Sequence, residues 1–208
     1  MHLFDSVTST QQRLSNILPR DGVAHYYGKI IDDESVNFYL QHLLTKVQWR
    51  HDKVILFGKE YITSRKTAWY GDKPFRYTYS KITKTALTWF DTLIALKGLV
   101  EDTVNENFNA CLLNLYHSGT DSIGWHADNE PEIEKNSAIA SISLGSARRF
   151  VFKHKLQHDK VSIILKPGSF LLIKGSTQSH WLHALPSTKR VNEPRINLTF
   201  RHMIDNLP

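Results

Sequence analysis

Hydrophobic residues recur at helical spacing in the segment DDESVNFYLQHLLTKVQW, which runs from Asp32 to Trp49. Acidic residues stand at its start, where they complement the positive end of a helix, and the apolar residues that follow lie three or four positions apart. The segment therefore predicts an amphipathic helix. Its predicted buried face consists of Val36, Leu40, Leu43, Leu44 and Val47.

A second helix is predicted from about Thr85 to Lys97. Gly98 would end it, because glycine readily adopts the left-handed conformation that follows a last helical turn. Its apolar stripe would hold Leu87, Phe90 and Ile94.

After Asn107 the helical period is replaced by short alternating runs separated by Gly, Pro, Ser and Asn, which predict β-strands. The runs are ACLLNLY, SAIASISL, RRFVFKH, VSIIL, SFLLIKG and RINLTFRH. Strands at this spacing indicate a jelly-roll or barrel with helices packed outside it. The predicted fold class is α+β and mostly β, in a single domain over residues 1–208, because a chain of 208 residues suits one core.

The stretch from Ile55 to Lys81 mixes aromatic and basic residues around two turn signals, Phe57-Gly58 and Gly71-Asp72. It has the pattern of neither a helix nor a core strand. We interpret it as exposed hairpins.

The charge of the chain favours a polyanionic partner. Its 26 Lys and Arg exceed its 20 Asp and Glu, giving a net charge of +6. A basic surface attracts nucleic acid, although charge alone also fits a protein that binds nothing acidic.

The single cysteine, Cys111, excludes an intramolecular disulfide and lies in an apolar run, which predicts a buried thiol. The N-terminal sequence has no secretory-signal pattern, and no apolar run approaches the ~20 residues that span a bilayer. We expect an intracellular protein without a membrane partner.

The last strand sorts its side chains into two faces. Alternation along RINLTFR places Ile196, Leu198 and Phe200 on an apolar face. The opposite face carries Arg195, Asn197, Thr199 and Arg201. The two arginines stand about 20 Å apart along an extended strand, so their side chains can converge on an elongated dicarboxylate. The alternative is a solvent-facing strand with scattered charges.

Other polar residues suit ligand binding. On the strand ACLLNLY, Asn114 and Tyr116 share one face and can both donate hydrogen bonds. In GWHADNE, His126 and Asp128 lie on one side of an extended segment and offer two metal ligands, and a third could be His180 or His183 of HWLHALP. Two histidines and one carboxylate are typical of non-haem Fe(II) oxygenases.

The series NLYHSGTDSIGWHADNE, SISLGSARRFVFKH, HWLHALP and RINLTFR resembles the AlkB family of Fe(II)- and 2-oxoglutarate-dependent dioxygenases. The resemblance runs from about Ile55 to Met203. Within the family, FGK followed by RKTAWYGD and RYTYS is most similar to the branch that repairs alkylated bases in duplex DNA.

This resemblance implies a double-stranded β-helix core over residues 107–203, outer helices and a nucleotide-recognition lid over residues 55–81. It implies Fe(II) ligation by His126, Asp128 and His183, and it selects His183 because that residue stands twelve positions before Arg195. It assigns the binding of 2-oxoglutarate to six residues: Asn114, Tyr116, Arg195, Asn197, Thr199 and Arg201. Arg201 and its neighbours would pair with the distal carboxylate.

The resemblance also assigns residues to the nucleic acid. Phe57 would enter the base stack, with Gly58 and Lys59 completing the hairpin tip. The flipped base would lie against Tyr77, Thr78 and Tyr79, with its edge read by Asn129 and Glu130. Arg65 and Lys66 would contact phosphate. Tyr61 and Tyr79 replace the histidine and phenylalanine usual in that branch.

A basic run, separate from the residues of the resemblance, would track the DNA backbone or protect a strand edge. It consists of Arg148, Arg149, Lys153, His154 and Lys155.

The implied function is repair of 1-methyladenine and 3-methylcytosine in duplex or single-stranded DNA, with Fe2+, 2-oxoglutarate and O2 and with release of succinate, CO2 and formaldehyde. Two alternatives are an RNA or tRNA base demethylase of the same family and a catalytically silent nucleic-acid-binding module. We expect a monomer, in the cytoplasm of a bacterial host or the nucleus of a eukaryotic one.

Overall fold

A computed structural model describes residues 14–56, 59–79 and 82–204, with side chains described outside 54–60 and 77–84. In chain order, the elements are β1 (Val23–Lys29), α1 (Asp33–Lys46), β2 (Arg50–Leu56), β3 (Lys59–Gly71), β4 (Arg76–Tyr79), β5 (Ile82–Thr85), β6 (Leu87–Thr88), α2 (Asp91–Val104), β7 (Ala110–Tyr116), β8 (Ile123–His126), β9 (Ile139–Gly145), β10 (Arg148–His154), β11 (Lys160–Leu165), β12 (Ser169–Lys174), α3 (Thr177–His180), β13 (Trp181–Leu185) and β14 (Arg195–Arg201).

Two antiparallel sheets form the core, as the jelly-roll prediction requires. The larger sheet has the strand order β1-β12-β9-β14-β7-β3-β2, with β6 beside β3. The smaller sheet has the order β11-β10-β13-β8, and β4 and β5 form a separate pair. All six predicted strands are present, whereas β1, β8 and β13 were not predicted. The larger sheet extends beyond residues 107–203, because β1 and part of β3 pair into it.

The helices cover one face of the larger sheet. Ile196, Leu198 and Phe200 of β14 are each 0% exposed and pack in the same cluster as the buried residues of α1 and α2. The opposite face of β14 therefore points towards the smaller sheet, because successive side chains of a strand alternate. A second cluster, which includes Phe152, Leu171 and Trp181, joins the two sheets.

The prediction for α1 is confirmed. Asp32 caps its first turn by accepting a hydrogen bond from the Ser35 N–H at 2.9 Å. Val36, Leu40 and Leu43 are buried, as the apolar spacing predicted.

The prediction for α2 was wrong in position. The helix begins at Asp91, not Thr85, because Leu87 and Thr88 pair with β3 as a short parallel strand. It continues past Gly98 to Asn105, whose φ of 53° ends it. The buried stripe consists of Leu93, Leu96 and Val100, whereas Ile94 is 52% exposed.

The interpretation of residues 55–81 as exposed hairpins is wrong for the end of β3. Residues 66–71 of β3 pair with β7 in the larger sheet, and Ala68, Trp69 and Tyr70 are buried. β3 therefore runs from the β2–β3 hairpin directly into the core. No described helix is long and apolar enough to cross a membrane.

Candidate active site

Three metal-ligating side chains converge between the two sheets. His126 ends β8 and pairs directly with His183 of β13, while Asp128 follows two residues after His126. One ligand atom from each residue lies within 4.8 Å of the others. Asp128 and His183 are only 7% and 6% exposed.

His180, the other histidine considered as the third ligand, lies outside this group. It ends α3, where its Nδ1 lies 3.0 Å from the Ser176 carbonyl, and its ring stacks on that of His154. The structure thus places His183, and not His180, beside His126 and Asp128.

The hydrogen bonds and charges around the group favour ligation. His126 Nδ1 lies 2.8 Å from the Gly124 carbonyl oxygen, so that nitrogen carries the proton and Nε2 is left with a lone pair. Burial, followed by the neighbouring His126, lowers the pKa of His183 to about 3, which keeps its imidazole neutral at neutral pH. Burial raises the pKa of Asp128, but Arg201, His183 and His126 outweigh it and hold the pKa below its usual value.

This donor set fits a divalent transition metal such as Fe(II). Two neutral imidazoles and one carboxylate supply three ligands and leave coordination positions for exchangeable ligands. A closed structural zinc site would instead require a fourth protein ligand.

Arg201 occupies the metal end of the pocket. Its Nη2 donates to Asp128 Oδ2 at 2.9 Å, and both residues are buried. This contact places Arg201 beside a metal ligand, which favours a role at the metal end over the expected pairing with the distal carboxylate of 2-oxoglutarate.

Arg195 lies at the other end of the strand and is a second buried cation. It is 1% exposed, and its Nη2 donates to Ser143 Oγ at 2.9 Å and to Asn197 Oδ1 at 2.7 Å. Among the described residues, its Nε has no hydrogen-bond partner and no carboxylate lies within ion-pair distance. Burial is the main cause that lowers the pKa of Arg195 to about 10. A buried, incompletely satisfied guanidinium fits an anionic ligand.

The pocket between these two ends is lined by both sheets. All six predicted co-substrate residues line it: Asn114, Tyr116, Arg195, Asn197, Thr199 and Arg201. The solvent-facing alternative for β14 is therefore excluded. On this polar face of β14, the Asn197 NH2 donates a hydrogen bond to Thr199 Oγ1 at 2.9 Å.

Several pocket residues were missed in the sequence. Ser141 lines the pocket and donates to Asn197 Oδ1 at 3.3 Å, while Ser143 accepts from Arg195. The alternation of SAIASISL places these serines on one face and could have revealed them. Asp52, which also lines the pocket, carries no comparable signal because it lies among exposed polar residues.

Two predicted DNA-backbone contacts were wrong. Arg65 is 6% exposed and donates to Asn114 Oδ1 at 2.6 Å, so it faces the pocket and not a surface phosphate. Arg148 is 2% exposed and donates to the carbonyls of Ser118, Asp121 and Pro186. In the same run, His154 is buried as well, whereas Arg149, Lys153 and Lys155 are exposed.

The predicted nucleic-acid residues fall partly outside the described atoms. Phe57 and Gly58 lie outside the described residues, and Lys59, Tyr77, Thr78 and Tyr79 are described by their backbone alone. Glu130 lines the pocket, Asn129 is exposed beside it, and Tyr61 is 49% exposed. The roles of these residues stay predictions.

Comparison with known proteins matches the chain to 2-oxoglutarate-dependent oxygenases. The 2OG-Fe(II) oxygenase superfamily matches residues 23–201. The chain is 41% identical over 160 residues to the mouse (Mus musculus) protein named DNA oxidative demethylase ALKBH2, covering 73% of this chain and 67% of that protein. It is 36% identical over 185 residues to the human (Homo sapiens) alpha-ketoglutarate-dependent dioxygenase alkB homolog 3, covering 84% of this chain and 64% of that protein.

The fold agrees with these matches. The solved structure of OsALKBH1 superposes with a TM-score of 0.62 at 17% identity, covering 89% of this chain and 98% of that one. The chain spans about two thirds of the length of the curated relatives described above. With a superfamily match over most of its length, AlkB relatives and a matching metal site, the chain belongs to the AlkB family of 2OG-Fe(II) oxygenases.

Proposed function

We propose that this protein repairs DNA by oxidative removal of alkyl groups from base nitrogen atoms, with 1-methyladenine and 3-methylcytosine as substrates. The observation that carries the proposal is the pocket with its two chemically distinct ends. Three metal ligands and Arg201 lie at one end, and the buried cation Arg195 lies at the other. The relatives named DNA oxidative demethylase support DNA as the polymer.

When bound, Fe(II) and 2-oxoglutarate supply the activation of O2 that oxidises an N-alkyl carbon, with succinate and CO2 as co-products. His126, Asp128 and His183 would hold the metal. Arg195 and Tyr116 would hold the distal carboxylate, which fixes the orientation of the co-substrate between the two ends. The hydroxylated carbon then leaves the base nitrogen as formaldehyde when the hemiaminal collapses.

The walls of the pocket restrict water around this chemistry. Ile139 and Leu171 from the larger sheet and Phe150 from the smaller sheet line it with apolar surface. Phe150 also packs against the ring of His183, with 5.4 Å between ring centroids. An apolar wall beside a metal ligand strengthens the electrostatic interactions of the site and limits side reactions with water.

A base inside a stacked duplex cannot reach a pocket between two sheets, so the substrate base must be flipped or unpaired. The β2–β3 and β4–β5 strand pairs precede strands β7–β14 in the chain, and the predicted finger and stacking residues fall in the same part of the sequence. The net charge of +6 favours association with the phosphate backbone. We infer that duplex and single-stranded DNA both serve as substrates and that Glu130, at the pocket, contacts the base edge.

The test uses three oligonucleotides of one sequence, each carrying a single 3-methylcytosine, as duplex DNA, single-stranded DNA and single-stranded RNA. The protein is loaded anaerobically with Fe(II) and 2-oxoglutarate, air is added, and loss of the methyl group is followed by mass spectrometry. His183→Ala should abolish repair, while His180→Ala is the matched control and should retain it.

Each outcome separates the candidates. Repair of DNA by the parent and by His180→Ala supports the proposal. Repair of RNA alone would favour the RNA demethylase, whereas consumption of 2-oxoglutarate without repair would require another substrate. Absence of both repair and consumption would favour the silent binding module.

A further inference from the structure

A buried ion pair lies at the base of the β2–β3 hairpin, next to the pocket. Arg65 of β3 and Asp52 of β2 are 6% and 5% exposed, and Arg65 Nη2 lies 3.4 Å from Asp52 Oδ2. Both residues line the pocket. Burying two charges is expensive, so a pair at this position calls for an explanation beyond stability.

A β-bulge lies opposite Asp52, where residues 63–65 of β3 face this one residue of β2. The register of β2 against β3 shifts between His51 and Lys53, while both of these neighbours are exposed. Bulges commonly redirect a side chain next to an active site. The carboxylate is held further by the Lys53 N–H, which donates to Asp52 Oδ1 at 3.1 Å.

Thr63 joins the same two strands. Its hydroxyl donates to the Arg65 carbonyl at 2.8 Å and accepts from the Asp52 N–H at 3.2 Å. The backbones that carry Asp52 and Arg65 are therefore fixed relative to each other. The guanidinium of Arg65 extends from this fixed base towards β7.

Arg65 determines the orientation of the Asn114 amide. Its Nη1 donates to Asn114 Oδ1 at 2.6 Å. An asparagine side chain has one acceptor oxygen and one NH2 donor, so an arginine on the oxygen leaves the NH2 to face another partner. Asn114 pairs with Asn197 at the middle of β14, between the two arginines that end the polar face. A donor at this position meets an anionic co-substrate that lies along the pocket.

We propose that Arg65 is a positioning residue for 2-oxoglutarate, since it presents the Asn114 NH2 to the co-substrate, and that Asp52 holds Arg65 in place. This proposal rests on the use of 2-oxoglutarate in the proposed function. Arg65 acts through Asn114 and needs no contact of its own with the reacting atoms.

The competing explanation is a purely structural ion pair. Removing Arg65 alone would take a buried positive charge away from Asp52, and it would destabilise the fold under either explanation. The double variant Asp52→Asn/Arg65→Met separates the two. It removes both charges, and the asparagine keeps an oxygen for the Lys53 N–H.

The measurement is titration calorimetry of 2-oxoglutarate into the full chain loaded with Zn(II), without O2 or nucleic acid, together with thermal unfolding of each variant without the co-substrate. Arg65→Met should raise the Kd for 2-oxoglutarate about tenfold, the effect of a weakened hydrogen bond to a charged group. The double variant should regain thermal stability and keep the weakened Kd. Arg149→Met, an exposed arginine on β10, is the control and should leave both unchanged.

A second cycle tests the route through Asn114. In an Asn114→Ala background, Arg65→Met should not raise the Kd further, because the group it orients is gone. Parental affinity in Arg65→Met or in Asp52→Asn/Arg65→Met would overturn the positioning role. Additive effects of Arg65→Met and Asn114→Ala on the Kd would overturn it as well. Failure of the parent chain to bind 2-oxoglutarate would overturn the proposed function itself and this proposal with it.

Discussion

The guanidinium of Arg201 contacts the carboxylate of Asp128, with 2.9 Å between Nη2 and Oδ2. Both side chains are almost fully buried, so the pair neutralises charge inside the protein and fixes the carboxylate. The contact also establishes the polarity of the pocket. Arg201 marks the metal end, and Arg195, six residues earlier on the same strand, marks the far end.

Asp128→Asn should weaken metal binding. An amide is a poorer ligand than a carboxylate for a hard divalent ion, and the substitution removes the carboxylate that Arg201 contacts. We expect the affinity for Mn(II), used as a redox-stable substitute, to fall by about 100-fold or more. Calorimetric titration checks this value. Unchanged affinity would show that the ion is held elsewhere.

Arg195→Met should remove recognition of the distal carboxylate. The parent protein should prefer 2-oxoglutarate to 2-oxopentanoate, which has the keto acid end but lacks the second carboxylate, and the variant should lose most of this preference. The KM for 2-oxoglutarate should rise about tenfold or more, because a hydrogen-bonded buried charge is lost.

Arg201→Met provides the contrast to Arg195→Met. It should weaken both keto acids together, because the substitution acts at the end that the two molecules share. A loss of discrimination in Arg201→Met with full discrimination in Arg195→Met would reverse the assigned polarity of the pocket.

Arg148→Met should destabilise the fold. The guanidinium donates hydrogen bonds to three carbonyls in two separate loops, those of Ser118, Asp121 and Pro186. Removing a buried donor leaves its acceptors unsatisfied, so the free energy of unfolding should fall by about 3 kcal/mol in urea titrations. The exposed neighbour Arg149 provides the comparison, and Arg149→Met should change it by less than about 0.5 kcal/mol. Equal effects would contradict the structural role of Arg148.

Cys111 should not react in the native protein. The thiol is fully buried, and burial raises its pKa well above the ordinary value, so almost no thiolate forms at neutral pH. Ellman's reagent should label it at the rate of unfolding in urea and not before. Rapid labelling under native conditions would show that β7 opens locally.

The sequence predicted the parts of the site that depend on local alternation. Asn197 and Thr199 were assigned to one face of β14 by period alone, and the structure places both in the pocket. Alternation cannot tell whether a polar face is buried, because burial depends on the sheet that packs over it. Periodicity also could not decide whether His180 or His183 is the third metal ligand, because α3 ends at His180 and His183 lies in the next element, β13.

Arg65 and Arg148 show where local patterns fail. Each stands in a basic or polar stretch typical of a surface, yet each is buried and donates to a residue distant in the chain, Asn114 for Arg65 and Pro186 for Arg148. The predicted start of α2 was wrong for a similar reason. Leu87 lies at helical spacing from the apolar residues that follow it, but it pairs with Tyr70 in the sheet.

The central claim is that one pocket couples consumption of 2-oxoglutarate to removal of an alkyl group from DNA. The most direct measurement is the ratio of succinate formed to methyl groups lost from a 3-methylcytosine oligonucleotide, compared between the parent and Asp128→Ala. We predict a ratio near unity for the parent with excess oligonucleotide, and neither product for Asp128→Ala. Succinate formation that continues without loss of methyl groups, or methyl loss that survives Asp128→Ala, would contradict the account.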